Sequence, residues 1–116
     1  MPIRYTSART CADCGRTEII QHEYRRVPAV CLHCNGLRVA AHLPPVPARP
    51  AEQVDPVVVS RAASGHRVPT TMAERIQVVA ALTARGYSAT EIAARLGVTD
   101  RTVVRYRSEY RRAVPA

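Results

Sequence analysis

The sequence predicts an α+β fold, mostly helical: a small β module organised by cysteines, followed by a domain of three to four helices. Three observations carry this. All four cysteines fall within residues 1–43, as two C-x2-C pairs. A proline-rich stretch, Pro44-Pro45-Val46-Pro47-Ala48-Arg49-Pro50-Ala51-Glu52-Gln53, covers residues 44–53. Beyond it, apolar residues recur at helical spacing between capping signals and glycines. The expected division is residues 1–43, a linker at 44–53, and residues 54–116.

The cysteine module comes first. Cys11-Ala12-Asp13-Cys14-Gly15 and Cys31-Leu32-His33-Cys34-Asn35-Gly36 are two C-x2-C pairs with sixteen residues between them. Such pairs set four thiolates tetrahedrally around zinc. Gly15 and Asn35-Gly36 follow their cysteines, where a metal knuckle needs a tight, amide-rich turn. Between the pairs, Glu18–Val27 can form a hairpin. Residues 8–39 thus resemble a zinc ribbon, a short β module that binds nucleic acid or protein. A closed four-thiolate site leaves no open coordination position, so the zinc is read as structural. A redox dithiol and a rubredoxin-like iron site are the alternatives. His22 and His33 can substitute as ligands, but with four cysteines present they read as surface residues.

The proline-rich stretch removes backbone donors and favours an extended chain, so it reads as a semi-rigid tether. A loop laid over one compact domain is the other reading.

The helical region punctuates itself. Asp55-Pro56 caps and starts a short helix that Ser64-Gly65 ends. Thr71-Met72-Ala73-Glu74 and Ser88-Ala89-Thr90-Glu91 are capping boxes. They predict helices over about Met72–Arg85, stopped by Gly86, and Ala89–Leu96, stopped by Gly97. Met72, Ile76, Val79, Ala80 and Thr83 share one face of the first. Thr99 caps a last helix over about Asp100–Arg112. On its wheel Val103, Tyr106 and Tyr110 point inward, while Arg101, Arg105, Ser108 and Arg112 point outward. Ile92, Ala93 and Leu96 supply the opposing inner face, and Val98 plugs the turn.

Two short helices joined at a glycine, the second carrying outward arginines, form the sequence pattern of a helix-turn-helix. The run Leu82–Tyr106, within about residues 70–112, resembles the helix-turn-helix of small actinobacterial and actinophage regulators. More broadly, it resembles those of sigma factors, resolvases and transposase heads. The resemblance implies sequence-specific binding of double-stranded DNA. Thr99, Asp100 and Arg101 lie at the start of the reading helix, where base edges are met. Arg101 or Arg105 can fork onto guanine, and Val104 can pack on a thymine methyl. Asp100 accepts from cytosine or orients Arg101. Ser88, Thr90 and the amides beside them can hold a phosphate. Arg75, Arg107 and Arg111 sit at the flank and contact phosphate or nothing.

Composition agrees. The net charge is +8, and all 17 basic residues are arginine. Arginine suits forked contacts to phosphate and guanine; GC-rich codon usage explains the same bias. The chain has no Phe and no Trp, and at 116 residues its core is small enough for a metal to help hold it. No apolar run approaches the roughly 20 residues of a membrane span. No signal-peptide core is visible, so the expected location is cytoplasmic: nucleoid-associated, or in the host cytoplasm if phage-encoded. No acidic cluster or Ser/His/Asp set suggests an enzyme. The expected function is transcriptional regulation. A recombination or phage packaging accessory and a zinc-ribbon adaptor are the alternatives. A protein partner such as RNA polymerase through the ribbon, and a homodimer, complete the expected partners.

Overall fold

The computed structural model describes residues 4–23, 25–50 and 52–113. Among these residues nine elements follow in order. Strands β1 (Tyr5–Thr10) and β2 (Thr17–His22) precede a short β3 (Arg26–Val27). Helix α1 (Leu32–Ala40) leads to β4 (Arg49–Pro50). Helices α2 (Pro56–Ala63), α3 (Met72–Ala84), α4 (Ala89–Leu96) and α5 (Asp100–Ala113) complete the chain.

β1 and β2 form an antiparallel hairpin in the register Tyr5↔His22 to Thr10↔Thr17. Its turn is the first cysteine pair, closed by Gly15 N–H donating to Cys11 O at 2.9 Å, with Gly15 at φ +74°. The hairpin expected within Glu18–Val27 is therefore not formed. Thr17–His22 folds back onto β1, and Arg26–Val27 pairs with Arg49–Pro50 instead. The second cysteine pair also departs from expectation. Asn35 and Gly36 lie inside α1, whose N-cap is Cys31: its sulfur accepts from Cys34 N–H. A helix start supplies the amides that a second knuckle was expected to supply.

In the helical half each cap forms as read. Asp55 caps α2 by accepting from the Val57 and Val58 amides. Both capping boxes close, Thr71 with Glu74 and Ser88 with Glu91. Gly86 and Gly97 end their helices at positive φ. The core is Ala62, Ala63, Val78, Val79, Leu82, Ile92, Ala93, Val103 and Tyr106. It corrects the face expected for α3: Val78, Val79 and Leu82 point inward, while Met72 is 49% exposed. The reason is that α3 packs against α2, α4 and α5 together, and the 78/82 ridge centres on them. Tyr110 is only half-buried.

A second, much smaller cluster consists of Cys11, Val30, Cys31 and Cys34 with Val46 against it. The two halves meet through hydrogen bonds. Alternate amides of a strand point out of its hairpin, and two of those of β1 are taken by the helical half. Ala8 N–H donates to Pro69 O at 3.0 Å, and Thr10 N–H to Asp55 Oδ2 at 2.6 Å. Behind them sits Glu74, fully buried, which accepts from the amides of Thr71 (2.9 Å) and Asp55 (3.0 Å) and lies 3.6 Å from Arg49. The proline-rich segment is thus attached at β4 and through the Arg49 guanidinium.

Candidate nucleic-acid interface and metal centre

α4 and α5 cross at the Gly97 turn. Gly97 takes φ +70°, a conformation that costs an L side chain but not glycine. Val98 packs under the turn. Thr99 Oγ1 then accepts from Thr102 N–H at 3.2 Å and starts α5. Val103 and Tyr106 are buried against α3 and α4, which fixes the rotation of α5. Arg107, expected to contact phosphate or nothing, locks that rotation. It donates to Thr83 Oγ1 (3.0 Å) and Tyr87 O (3.1 Å). Arg95 holds α4 against α2 by donating to Ala63 O at 2.7 Å, and it stacks over the Tyr87 ring at 4.6 Å.

With α5 held this way, Arg101, Val104, Arg105, Ser108 and Arg112 are all exposed on its outer face. Val104 is 54% exposed, an apolar group in the middle of that polar face. Arg105 lies over the Tyr106 ring at 5.4 Å, Ser108 donates to Val104 O, and Arg112 is 3.8 Å from Glu109. Ser88, Thr90, Thr99 and Asp100 are exposed at the adjoining helix starts. The Ser88 and Thr99 hydroxyls cap their helices. Thr90 donates to Asp100 Oδ2 at 2.9 Å, so Asp100 bridges α4 and α5. One cation near this surface escaped the sequence reading. The Arg67 guanidinium, from the α2–α3 connection, sits 2.8 Å from where a side chain on Gly97 would begin. No local pattern around residue 67 marks it, because the proximity depends on the α2–α3 packing.

The sulfurs of Cys11, Cys14, Cys31 and Cys34 lie within 4.8 Å of one another. A tetrahedral zinc site with Zn–S near 2.3 Å has sulfur–sulfur edges of about 3.8 Å, and Cys14 Sγ is 4.0 Å from Cys31 Sγ. Amides support the sulfurs: Cys31 N–H donates to Cys11 Sγ at 3.3 Å and Cys34 N–H to Cys31 Sγ at 3.4 Å. Burial opposes ionisation of Cys11, but amides of Cys14, Cys31 and Asp13 outweigh it and hold that thiol at about 6. The hydrogen bond to Cys31, then burial, pushes Cys34 the other way. Four sulfurs this close together, with amide donors behind them, make a donor set that suits a dication. The four cysteines can therefore hold a metal ion.

Around them, Arg38 on α1 makes a two-pronged pair with Asp13 (2.5 and 2.7 Å), joining the helix to the hairpin turn. This pairing holds the Asp13 carboxyl below its ordinary value. Arg9, 3% exposed, donates to Val30 O at 2.7 Å and to Glu18 Oε2 at 2.8 Å. His33 is exposed as expected. His22 is not: it is 6% exposed. Its Nδ1 donates to Glu23 O at 2.7 Å, which makes Nε2 the acceptor of the Ser7 hydroxyl at 2.8 Å.

Residues 69–114 match a family model described as a homeodomain-like domain. That segment contains α3, α4 and α5, the helices that carry the candidate interface. No curated protein and no solved structure matches the chain. Fold and family match agree on a helix-turn-helix, a type of domain that points to DNA as its partner and is typically non-enzymatic. Among the described residues no helix is long and apolar enough to cross a membrane.

Proposed function

We infer that the protein is a sequence-specific DNA-binding protein that acts as a transcriptional regulator, with α5 in the major groove. One observation carries this reading: α5 is locked by Val103, Tyr106 and Arg107 so that Arg101, Val104 and Arg105 all face outward. Arg101 and Arg105 read base edges. Val104 meets a thymine methyl. Ser88, Thr90, Thr99, Asp100, Ser108 and Arg112 complete the surface, with Arg67 beside the turn as an added phosphate contact.

Zinc, held by Cys11, Cys14, Cys31 and Cys34, is the metal that the four-thiolate set favours. When bound it supplies a crosslink. The residues around it do the rest: amides stabilise thiolates, and Arg38 with Asp13 joins the two ligand pairs. A division into a module at 1–43, a connection at 44–53 and a reading domain at 54–116 is supported by the two separate clusters of buried residues, with Val46 of the connection packed on the cysteine cluster. Homodimerisation on DNA would compensate for the weak affinity of a lone reading head. An actinobacterial or phage source rests on the helix-turn-helix resemblance, the Arg-rich composition fits a GC-rich genome, and a nucleoid location would go with DNA binding.

The test is selection of bound duplexes from a random pool, followed by titration of the recovered site. Arg101→Ala and Arg105→Ala are each expected to cost about 1–3 kcal/mol on that site. Arg112→Ala should weaken all sequences alike. A double Arg101/Arg105 variant with unchanged affinity and preference removes α5 from the groove.

A second reading has one observation in its favour. α1 turns Cys34 inward and leaves Leu32 91% and Val39 67% exposed, with Leu37 and Leu43 also exposed. An apolar surface of this kind suits a protein partner for the cysteine module.

A further inference from the structure

Between the hairpin and the start of α3 lies an open cleft of about 550 Å³. Its volume is in the range of small-molecule sites. Tyr5, Met72, Ala73 and Ile76 give it apolar walls, and Ser7 and His22 line the hairpin side. The Ser7 and His22 polar atoms are already satisfied by each other and by Glu23 O.

Among the described residues, three charged side chains line the cleft. Arg25 and Glu52 pair at 3.7 Å across its rim. Arg75 is different. Its guanidinium has no hydrogen-bond acceptor or carboxylate partner among the described residues, and its Nε is shut off from solvent without one. The guanidinium lines the cleft with no protein anion beside it among the described residues, and an anion in the cleft would supply that partner. The neighbouring Met72, 49% exposed, and Tyr5, 41% exposed, leave apolar surface uncovered beside that charge.

We propose that this cleft binds a small organic anion, a carboxylate carried on an aromatic or branched apolar body. The carboxylate takes the Arg75 guanidinium. The apolar body lies against Met72, Ile76 and Tyr5. Bare phosphate, including that of a DNA backbone, would satisfy Arg75 but leave the apolar walls wet. The ligand would touch both the hairpin and α3, and so would join the two halves.

The experiment is a titration of the isotope-labelled full chain followed by amide shifts. The probes are benzoate, salicylate and 3-methylbutanoate, with benzamide and inorganic phosphate as comparisons. At least one carboxylate should give saturable shifts at Tyr5, Met72, Arg75 and Ile76. Benzamide and phosphate should bind about tenfold more weakly or worse, the scale of one charge-assisted contact. Arg75→Gln should lose a similar factor, and Met72→Glu should abolish binding by placing a like charge on the apolar wall. Saturable shifts from none of the three carboxylates would overturn the proposal. So would unchanged affinity in Arg75→Gln. Phosphate binding as tightly as the carboxylates would also overturn it and assign Arg75 to a nucleic-acid backbone.

Discussion

Glu74 and Glu91 occupy the same position in two capping boxes, yet the structure gives them different weights. Glu91 is exposed and accepts only from Ser88 N–H at 3.2 Å. Glu74 is 0% exposed, accepts from two amides, and lies 3.6 Å from Arg49, whose side chain is 16% exposed. Glu91→Ala removes one exposed cap contact, expected to cost about 0.5–1 kcal/mol. Glu74→Ala leaves two amides without their acceptor and the Arg49 guanidinium without its opposite charge, in a dry place. Removing one side of a buried ion pair costs about 3–5 kcal/mol. The expected difference between the variants is therefore about 2–4 kcal/mol, a large share of the ~5–15 kcal/mol by which domains are stable. Urea unfolding of both variants at fixed metal loading measures it directly. If Glu74→Ala falls within about 1 kcal/mol of Glu91→Ala, the junction is not the buried hub described here and the reasoning fails.

Three further outcomes are expected. The purified protein should carry one zinc per chain, and chelation should unfold mainly residues 8–39 while α3–α5 keep their amide signals; a metal-free, folded cysteine module would refute this. Gly97→Ala should cost about 1–2 kcal/mol from the left-handed backbone. The contact with Arg67 adds little because a guanidinium can swing aside, so an additional Arg67→Ala should not rescue stability in thermal melts. Residues 54–116 alone should keep the sequence preference of the full chain but melt lower, since the acceptors Asp55 Oδ2 and Pro69 O lose their donors; a changed preference would mean that the N-terminal half reads bases.

The sequence showed what is encoded within a few residues. Asp55, Thr71 and Ser88 cap helices because each finds its amide partners within three positions, and Gly97 turns the chain through its own φ. The cysteine spacing foretold the clustering of four sulfurs. Pairing over distance was not legible. Thr17–His22 had two possible partners, and the choice of β1 follows from the Cys11–Arg16 turn closing on itself. The α3 wheel fitted more than one inward face until three neighbouring helices selected Val78 and Leu82. His22 reads as polar and hence exposed, but Ser7 and Glu23 O satisfy both ring nitrogens and let it sink. Of the site, the outward residues of α5 were visible from periodicity. Arg67 and the Arg107 lock were not, because both depend on contacts with other helices.

The outward amides of β1 have a consequence for the order in which the chain can be completed. Ala8 and Thr10 are made before their acceptors, which belong to Pro69 and Asp55. The helical half closes mostly on near neighbours, the kind of contact that forms fast. The hairpin must hold an open edge until some 45 residues more have left the ribosome, the separation of Thr10 from Asp55. An open edge is a template for pairing with another chain. During that interval the early-made half is the exposed one, and an early metal crosslink at Cys11 and Cys34 would keep it compact while it waits for residues that it precedes.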